Sequence, residues 1–267
     1  MITLLEKKIA YNTLISLHIA RGTAHDAVKV CLEVLDALDI KFGCLGKPMY
    51  IVKSLIKTKM KVKSIVDQLS QLQYTSDESH IWAFSVLDNL LSTGYLLPGS
   101  IWLPLAIFKG LTLTLKWGIS EYTPSILSFV GLLLNVAFGD LDGATRIAEM
   151  GEKILETYNC RKTKGRGLYV SNTFVLHWTR PMERCLKEIF EAHDLAVAAG
   201  DTENASMTLV MYVDHFIWTG GALDNHLADI QFFVKQTSDW KQYMPMYNLL
   251  RSWQIVFCCI VQMMLPT

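Results

Sequence analysis

The chain is predicted to be all-α, a solenoid of irregular helical hairpins, and three observations carry that prediction. Apolar residues recur at helical spacing along almost the whole length. No stretch alternates at period two over several residues, so strand content is expected to be close to nil. At three places, Gly22/Ala27, Gly139/Ala144 and Gly200/Ala205, a glycine is followed five residues later by an alanine at the opening of an amphipathic run. The fullest instance runs from Gly139 to Ala148: a helix ends at glycine, Asp140 caps the next one, and Ala144 is small enough for two helices to touch.

The elements follow in order. Leu4 to Ala20 is helical, stopped at Arg21-Gly22, and Thr23 to Ile40 pairs with it as a first hairpin. Gly43, Gly46 and Pro48 break the pattern before a lysine-rich helix over Met49 to Lys61, and a short helix covers Val62 to Leu69. Thr75-Ser76-Asp77-Glu78 is a capping sequence for a long helix from Glu78 to Leu91. Gly94, Pro98 and Gly99 mark the next turn, Trp102 to Trp117 follows with Pro104 in its first turn, and Thr123-Pro124 opens a helix to Phe138. Ala144 to Tyr158 completes that hairpin. The polar, basic segment 159–167, with Arg161, Lys162, Lys164 and Arg166, is expected to be a flexible turn separating the hairpins of residues 1–158 from those of 168–267. Beyond it lie helices over Leu168–His177, Met182–Ala199, Glu203–Trp218 and Ala222–Gln236, and an apolar C-terminal helix. The turn signature is of tetratricopeptide type, which makes the predicted fold an irregular tetratricopeptide-like helical-hairpin solenoid.

Composition limits the function classes. The 267 residues are 51% apolar and 19% charged, a bias that suits helices packed on two sides. Net charge is zero, which gives no global reason to expect nucleic acid as a partner. The longest apolar runs, Ile101–Phe108, Ile126–Phe138 and Ile255–Leu265, fall short of the roughly 20 residues a membrane span requires. Six cysteines, Cys31, Cys44, Cys160, Cys185, Cys258 and Cys259, form no CxxC pair; they are expected to be reduced and mostly buried in a cytoplasmic protein.

Catalytic signatures are weak throughout. Gly43-Cys44-Leu45-Gly46-Lys47-Pro48 has too few residues between its glycines for a phosphate loop, and proline stands where a hydroxyl must reach magnesium. Gly165-Arg166-Gly167 lacks the third glycine and the preceding strand of a dinucleotide loop. His193-Asp194 and His25-Asp26 are the kind of doublet that a helical metal phosphohydrolase uses, with His177, Asp214 and Asp224 as further candidate ligands for the first. The amphipathic pattern around Ile189, Phe190, Ala196 and Val197 instead turns His193-Asp194 toward solvent; His215 beside Asp214 and His226 near Asp229 read as surface pairs. Cys258 and Cys259 sit in an apolar run expected to blunt thiol reactivity. No catalytic, cofactor-binding or metal residue is therefore assigned, and no cofactor is expected.

Two surfaces are candidates for binding. Seven lysines between Lys41 and Lys63, with no acid among them, accompany Met49, Ile51, Val52, Leu55, Ile56 and Met60; this is either the solvated outer face of the stack or a basic amphipathic helix for an anionic membrane or an acidic partner. Trp178, Tyr212, Phe216 and Trp218 are either core or the lining of a peptide groove.

A family resemblance follows from an ordered series of signatures. Ala20-Arg21-Gly22 through Ile40, Val66 to Leu72 with Thr75-Ser76-Asp77, Leu111-Thr112-Leu113 and Trp117-Gly118-Ile119-Ser120 resemble the helical region that follows the AAA-type ATPase module in predicted ATPases and in hybrid serine/threonine-kinase and sensor-histidine-kinase proteins. Leu69-Ser70-Gln71-Leu72-Gln73 is similar to that family's leucine-x-x-leucine-proline step, with Gln73 in place of proline, and Leu113 to Gly118 to its leucine-x-leucine-x-x-tyrosine-glycine stretch, with Trp117 at the aromatic position. His177 to Pro181, the helix from Met182, and Ala199-Gly200-Asp201 resemble its later hairpins, so that the similarity covers residues 1 to about 237.

The resemblance implies a non-catalytic interaction and regulatory segment, with protein partners or neighbouring kinase and ATPase modules, and a chain that is a middle piece without those modules. A stand-alone adaptor of tetratricopeptide type is the first alternative and a helical metal-dependent phosphohydrolase the second. A peptide groove with convergent polar side chains would favour the adaptor. A ragged apolar end over Trp253–Leu265, expected to be sticky in isolation, would favour the fragment.

Overall fold

The computed structural model describes residues 5–42, 48–97 and 99–264, and the phosphate-loop-like segment from Gly43 to Lys47 lies outside them. The described chain is all-helical: α1 (Lys8–Ala20), α2 (Ala24–Ala37), α3 (Pro48–Leu69), α4 (Glu78–Tyr95), α5 (Trp102–Trp117), α6 (Thr123–Phe138), α7 (Leu141–Thr157), α8 (Lys164–Phe174), α9 (Met182–Ala198), α10 (Thr202–Phe216), α11 (Leu223–Asp239) and α12 (Tyr243–Met264). Extended pairing among the described residues is confined to an isolated parallel bridge between Tyr74 and Ile119.

Local chemistry sets the helix ends. Asp77 caps α4 by accepting hydrogen bonds from the Ser79 and His80 amides at 2.8 and 3.1 Å, and Asp140 caps α7 through the Gly143 amide at 3.0 Å. Gly139 ends α6 at φ +63°, a left-handed turn that lets α7 fold straight back. Ala144, at the point of contact, is fully buried. Residues 123–131 of α6 are buried all round, so this helix lies inside the molecule, with α5, α7 and α8 packed around it.

Each helix packs on its sequence neighbour over most of the chain. In addition α2 packs on α4, α4 on α6, α6 on α8, α8 on α10 and α10 on α12, which puts the even-numbered helices in one connected layer. Trp82 of α4 is wholly buried within that layer, and its indole N–H donates to Asn12 Oδ1 of α1 at 3.0 Å, satisfying a polar atom that burial would otherwise penalise.

Two segments that carried the family signatures meet in space. Thr75 N–H donates to Ile119 O at 2.8 Å, Ile119 N–H donates to Gln73 O at 2.9 Å, and the His80 ring stacks on Trp117 with centroids 3.9 Å apart. Gly118, at φ +103°, allows this approach, because a methyl group there would lie 2.5 Å from Gln73 O.

Three expectations are corrected. Residues 159–167 do not form a turn throughout: α8 starts at Lys164, and Gly165, Arg166 and Gly167 are buried helix residues, so the connection shrinks to 158–163. The core does not divide there either, since Tyr169 and Val170 of α8 belong to the cluster that includes Ile15 and Trp82; a second cluster of Leu209, Val213, Ile230, Phe233, Leu249 and Val256 joins α10, α11 and α12. The separate helices expected over Met49–Lys61 and Val62–Leu69 are one, because the lysines between them are exposed on a continuous α3 whose other face buries Thr58, Val62, Ile65 and Leu69.

Candidate interaction site

Arg166 stands on the first turn of α8, and the packing of α8 against α6 carries its side chain into the even-numbered layer. There its Nε lies 2.9 Å from Asp88 Oδ2 of α4, and its Nη2 donates to the Asp88 main-chain oxygen at 2.8 Å and to Ser92 Oγ. Ser125 of α6 donates its hydroxyl to Asp88 Oδ1. Both charged side chains are almost completely buried, at 5% and 3% exposure. Burial raises the Asp88 carboxyl above its ordinary range, and the guanidinium and the Ser125 hydroxyl work against that shift. Such a pair is held by its geometry: each charge is tolerable only while the other is present.

Above this pair the structure opens a polar cleft of about 340 Å³ between α1, α4, α8 and the start of α10, with Asn12, Asn89, Lys162, Asp201 and Glu203 among its walls. Asp201 caps α10, accepting from the Asn204 amide at 3.0 Å and from Asn204 Nδ2 at 2.6 Å. Glu203 follows in the first turn of that helix. Burial pushes its carboxyl up to about 7, Arg166 opposes the shift, and the neighbouring Asp201 and Asp88 add to it.

Glu203 and Asn204 also border a second, mainly apolar cleft lined by Tyr95, Phe129, Phe174, Met207, Met211 and Met244. Tyr169 donates its hydroxyl to Asn204 Oδ1 at 3.3 Å at the junction of the two. Amides, hydroxyls and carboxylates therefore stand beside an aromatic and methionine-lined slot. That combination can hold main-chain hydrogen-bonding groups and an amine on one side and an apolar side chain on the other.

The structure relocates several residues singled out in the sequence. His193 is buried, contrary to expectation, with its Nδ1 3.1 Å from Ala205 O, while Asp194 is exposed; helix periodicity puts neighbouring residues about 100° apart, so the doublet does not converge. His226 is fully buried rather than on the surface, its Nε2 3.1 Å from Val213 O and its ring stacked on Phe216 at 4.3 Å. His215 Nδ1 lies 2.8 Å from Met211 O, and its ring meets His177 edge to face at 5.1 Å. His25 and Asp26 are both exposed. Among the described residues no three His, Cys, Asp or Glu side chains come together as a metal site would require.

The proposed aromatic group also splits: Trp178 and Trp218 stand 60% and 78% exposed, whereas Tyr212 and Phe216 pack against each other at 6.1 Å. Cys258 and Cys259 are exposed, while Cys31, Cys160 and Cys185 are buried. The apolar run put the first two on a helix with one covered side only; Val256 takes that side, and Ile255 and Phe257 remain 59% and 44% exposed. No helix among the described residues is long and apolar enough to cross a membrane.

The Asp88–Arg166 pair was missed in the sequence. Its signal was an arginine between two glycines whose small size lets α8 pack closely, and nothing in the local pattern distinguishes that from a flexible turn. No family model matches the chain, and neither a curated protein nor a solved structure matches it.

Proposed function

We propose that the chain is a non-catalytic interaction module, an irregular tetratricopeptide-like helical-hairpin solenoid whose even-numbered helices form the inner layer. The observation that supports this reading is the cleft over Asp88–Arg166, where polar groups from four helices converge next to the apolar slot shared through Glu203 and Asn204. The occupant is an extended segment of a protein partner: its main chain and an amine or basic side chain meet the amides and carboxylates, and an apolar side chain enters the slot. Convergent polar groups favour the adaptor form of the reading.

A regulatory role beside ATPase and kinase modules rests on the ordered sequence signatures alone, among them the two segments that meet at Gln73 and Ile119. A cytoplasmic setting is part of the same proposal. The metal phosphohydrolase alternative draws no support from His193 and Asp194, which face different surroundings.

The test is a photo-crosslinking amino acid placed at Asn89 in the cleft and, as a control, at exposed Lys235 of α11, expressed in the native cells. A discrete protein adduct from position 89 with none from position 235 supports the reading. Identical adduct patterns from both positions would sink it.

A further inference from the structure

We propose that α3 docks the protein on the surface of an anionic lipid bilayer. The face of α3 that meets the protein is ordinary: Thr58, Val62, Ile65 and Leu69 are buried. The opposite face is not. Met49, Val52, Ile56 and Met60 are 77%, 49%, 46% and 81% exposed. At 100° per residue these four fall within a sector of about 80°, so they form one apolar ridge where an amphipathic surface helix would present polar side chains to water.

Lysines border the ridge on both sides, with Lys59 along one flank and Lys53, Lys57 and Lys61 at four-residue steps along the other; all four are exposed. The acids are absent from the whole stretch between Lys41 and Lys63, and the first in α3 is Asp67 near its end. In a chain of zero net charge this is a concentrated local positive field. The row of Lys53, Lys57 and Lys61 also lines a groove of about 410 Å³ between α3 and α5, to which Tyr50 and Ser54 contribute hydroxyls. Ammonium and hydroxyl donors in such a groove suit the phosphate of a lipid headgroup. Lys59 is additionally held with its Nζ 4.4 Å from the Phe138 ring centre of α6.

The shape selects the partner. The apolar residues stand outward on a convex helix, and the lysines beside them can extend their charges to headgroup level while Met49, Ile56 and Met60 enter the acyl boundary. An acidic protein would meet the lysines but would need its own groove for the ridge.

The test is sedimentation of the full chain with vesicles of phosphatidylcholine alone or with about one-third phosphatidylserine. Binding is expected only with phosphatidylserine and should fall as salt approaches about 0.5 M, since surface charge is then screened. Lys53→Gln/Lys57→Gln should lower partitioning by at least about tenfold, at roughly fivefold per lysine. Ile56→Ser/Met60→Ser should lower it comparably while the charge stays unchanged. All four substitutions are at exposed positions, and thermal melts of the variants check that the fold is kept. The proposal is overturned if the phosphatidylserine vesicles are not bound, if Ile255→Ser/Phe257→Ser in α12 abolishes binding that the α3 variants leave intact, or if soluble polyglutamate binds as well as the vesicles and the ridge variant changes nothing. The last outcome would assign the surface to an acidic protein.

Discussion

Asp88 Oδ2 and Arg166 Nε, on helices 78 residues apart in sequence, meet at 2.9 Å inside the helical layer. Ser125 and Ser92 complete the arrangement, which therefore ties α4, α6 and α8 together. Removing one partner leaves an uncompensated buried charge. Asp88→Leu or Arg166→Met is expected to destabilise the fold by about 3–5 kcal/mol, whereas the double variant Asp88→Leu/Arg166→Met should recover a large part of the loss. Denaturant melts of the three variants supply the cycle. Additive losses in the double variant would show that the pair does not act as a unit.

Glu203 makes stability depend on pH. Its carboxyl is raised from 4.5 to about 7 by burial, with Arg166 opposing and Asp201 and Asp88 reinforcing. An acid whose folded value lies above its unfolded value stabilises the fold fully only below the unfolded value, and that contribution is lost as pH rises through the folded one. The window is accordingly from about pH 4.5 to about 7. Because Glu203 keeps some contact with solvent, a loss of about 1–2 kcal/mol across that window is expected. Glu203→Gln should remove this slope, so that the variant gains on the native chain at about pH 8 and not at about pH 4.5. Equal slopes for both proteins, measured by urea melts, would exclude Glu203 as the origin.

Gly118 is a second point of sensitivity. Alanine there would place a methyl 2.5 Å from Gln73 O on a backbone at φ +103°, so both the clash and the dihedral oppose it. Gly118→Ala is expected to destabilise by about 2–4 kcal/mol. Gly22, at φ +72° with nothing within 4 Å, is the comparison: its alanine variant bears the dihedral strain alone, on the order of 1 kcal/mol. Thermal melts showing the two variants equally destabilised would mean that the Gln73 contact yields freely.

The all-helical class was legible because helical periodicity and glycine punctuation are local signals. Gly139, Asp140 and Ala144 together specify a turn, a cap and a close contact within six residues of chain, and the structure places each as read. Arg166 was not legible. Whether a basic residue is exposed or buried depends on a carboxylate 78 positions away, and periodicity carries no information at that separation. The same holds for His193 and His226, which are buried through contacts with α10 carbonyls that neither helix encodes. The cleft shares this limit, since its walls come from α1, α4, α8 and α10.

Thiol reactivity separates the cysteines by packing. Desolvation pushes Cys31 up to about 12 and Cys160 and Cys185 up to about 11, and all three side chains are buried. A thiol with a pKa near 11 is ionised to about one part in a thousand at pH 8, and the thiolate is the reacting species. Cys258 and Cys259 lie on the exposed side of α12, where a reagent has access. Iodoacetamide at about pH 8 should therefore alkylate Cys258 and Cys259 well before Cys31, Cys160 and Cys185, as read by peptide mass spectrometry of the native protein over time. Denaturation should make the five equivalent within a few fold. Labelling of Cys31 as fast as Cys258 in the native state would mean that the first hairpin opens on the timescale of the reaction, and that its packing on α4 is weaker than the buried Val34, Leu35 and Leu87 imply.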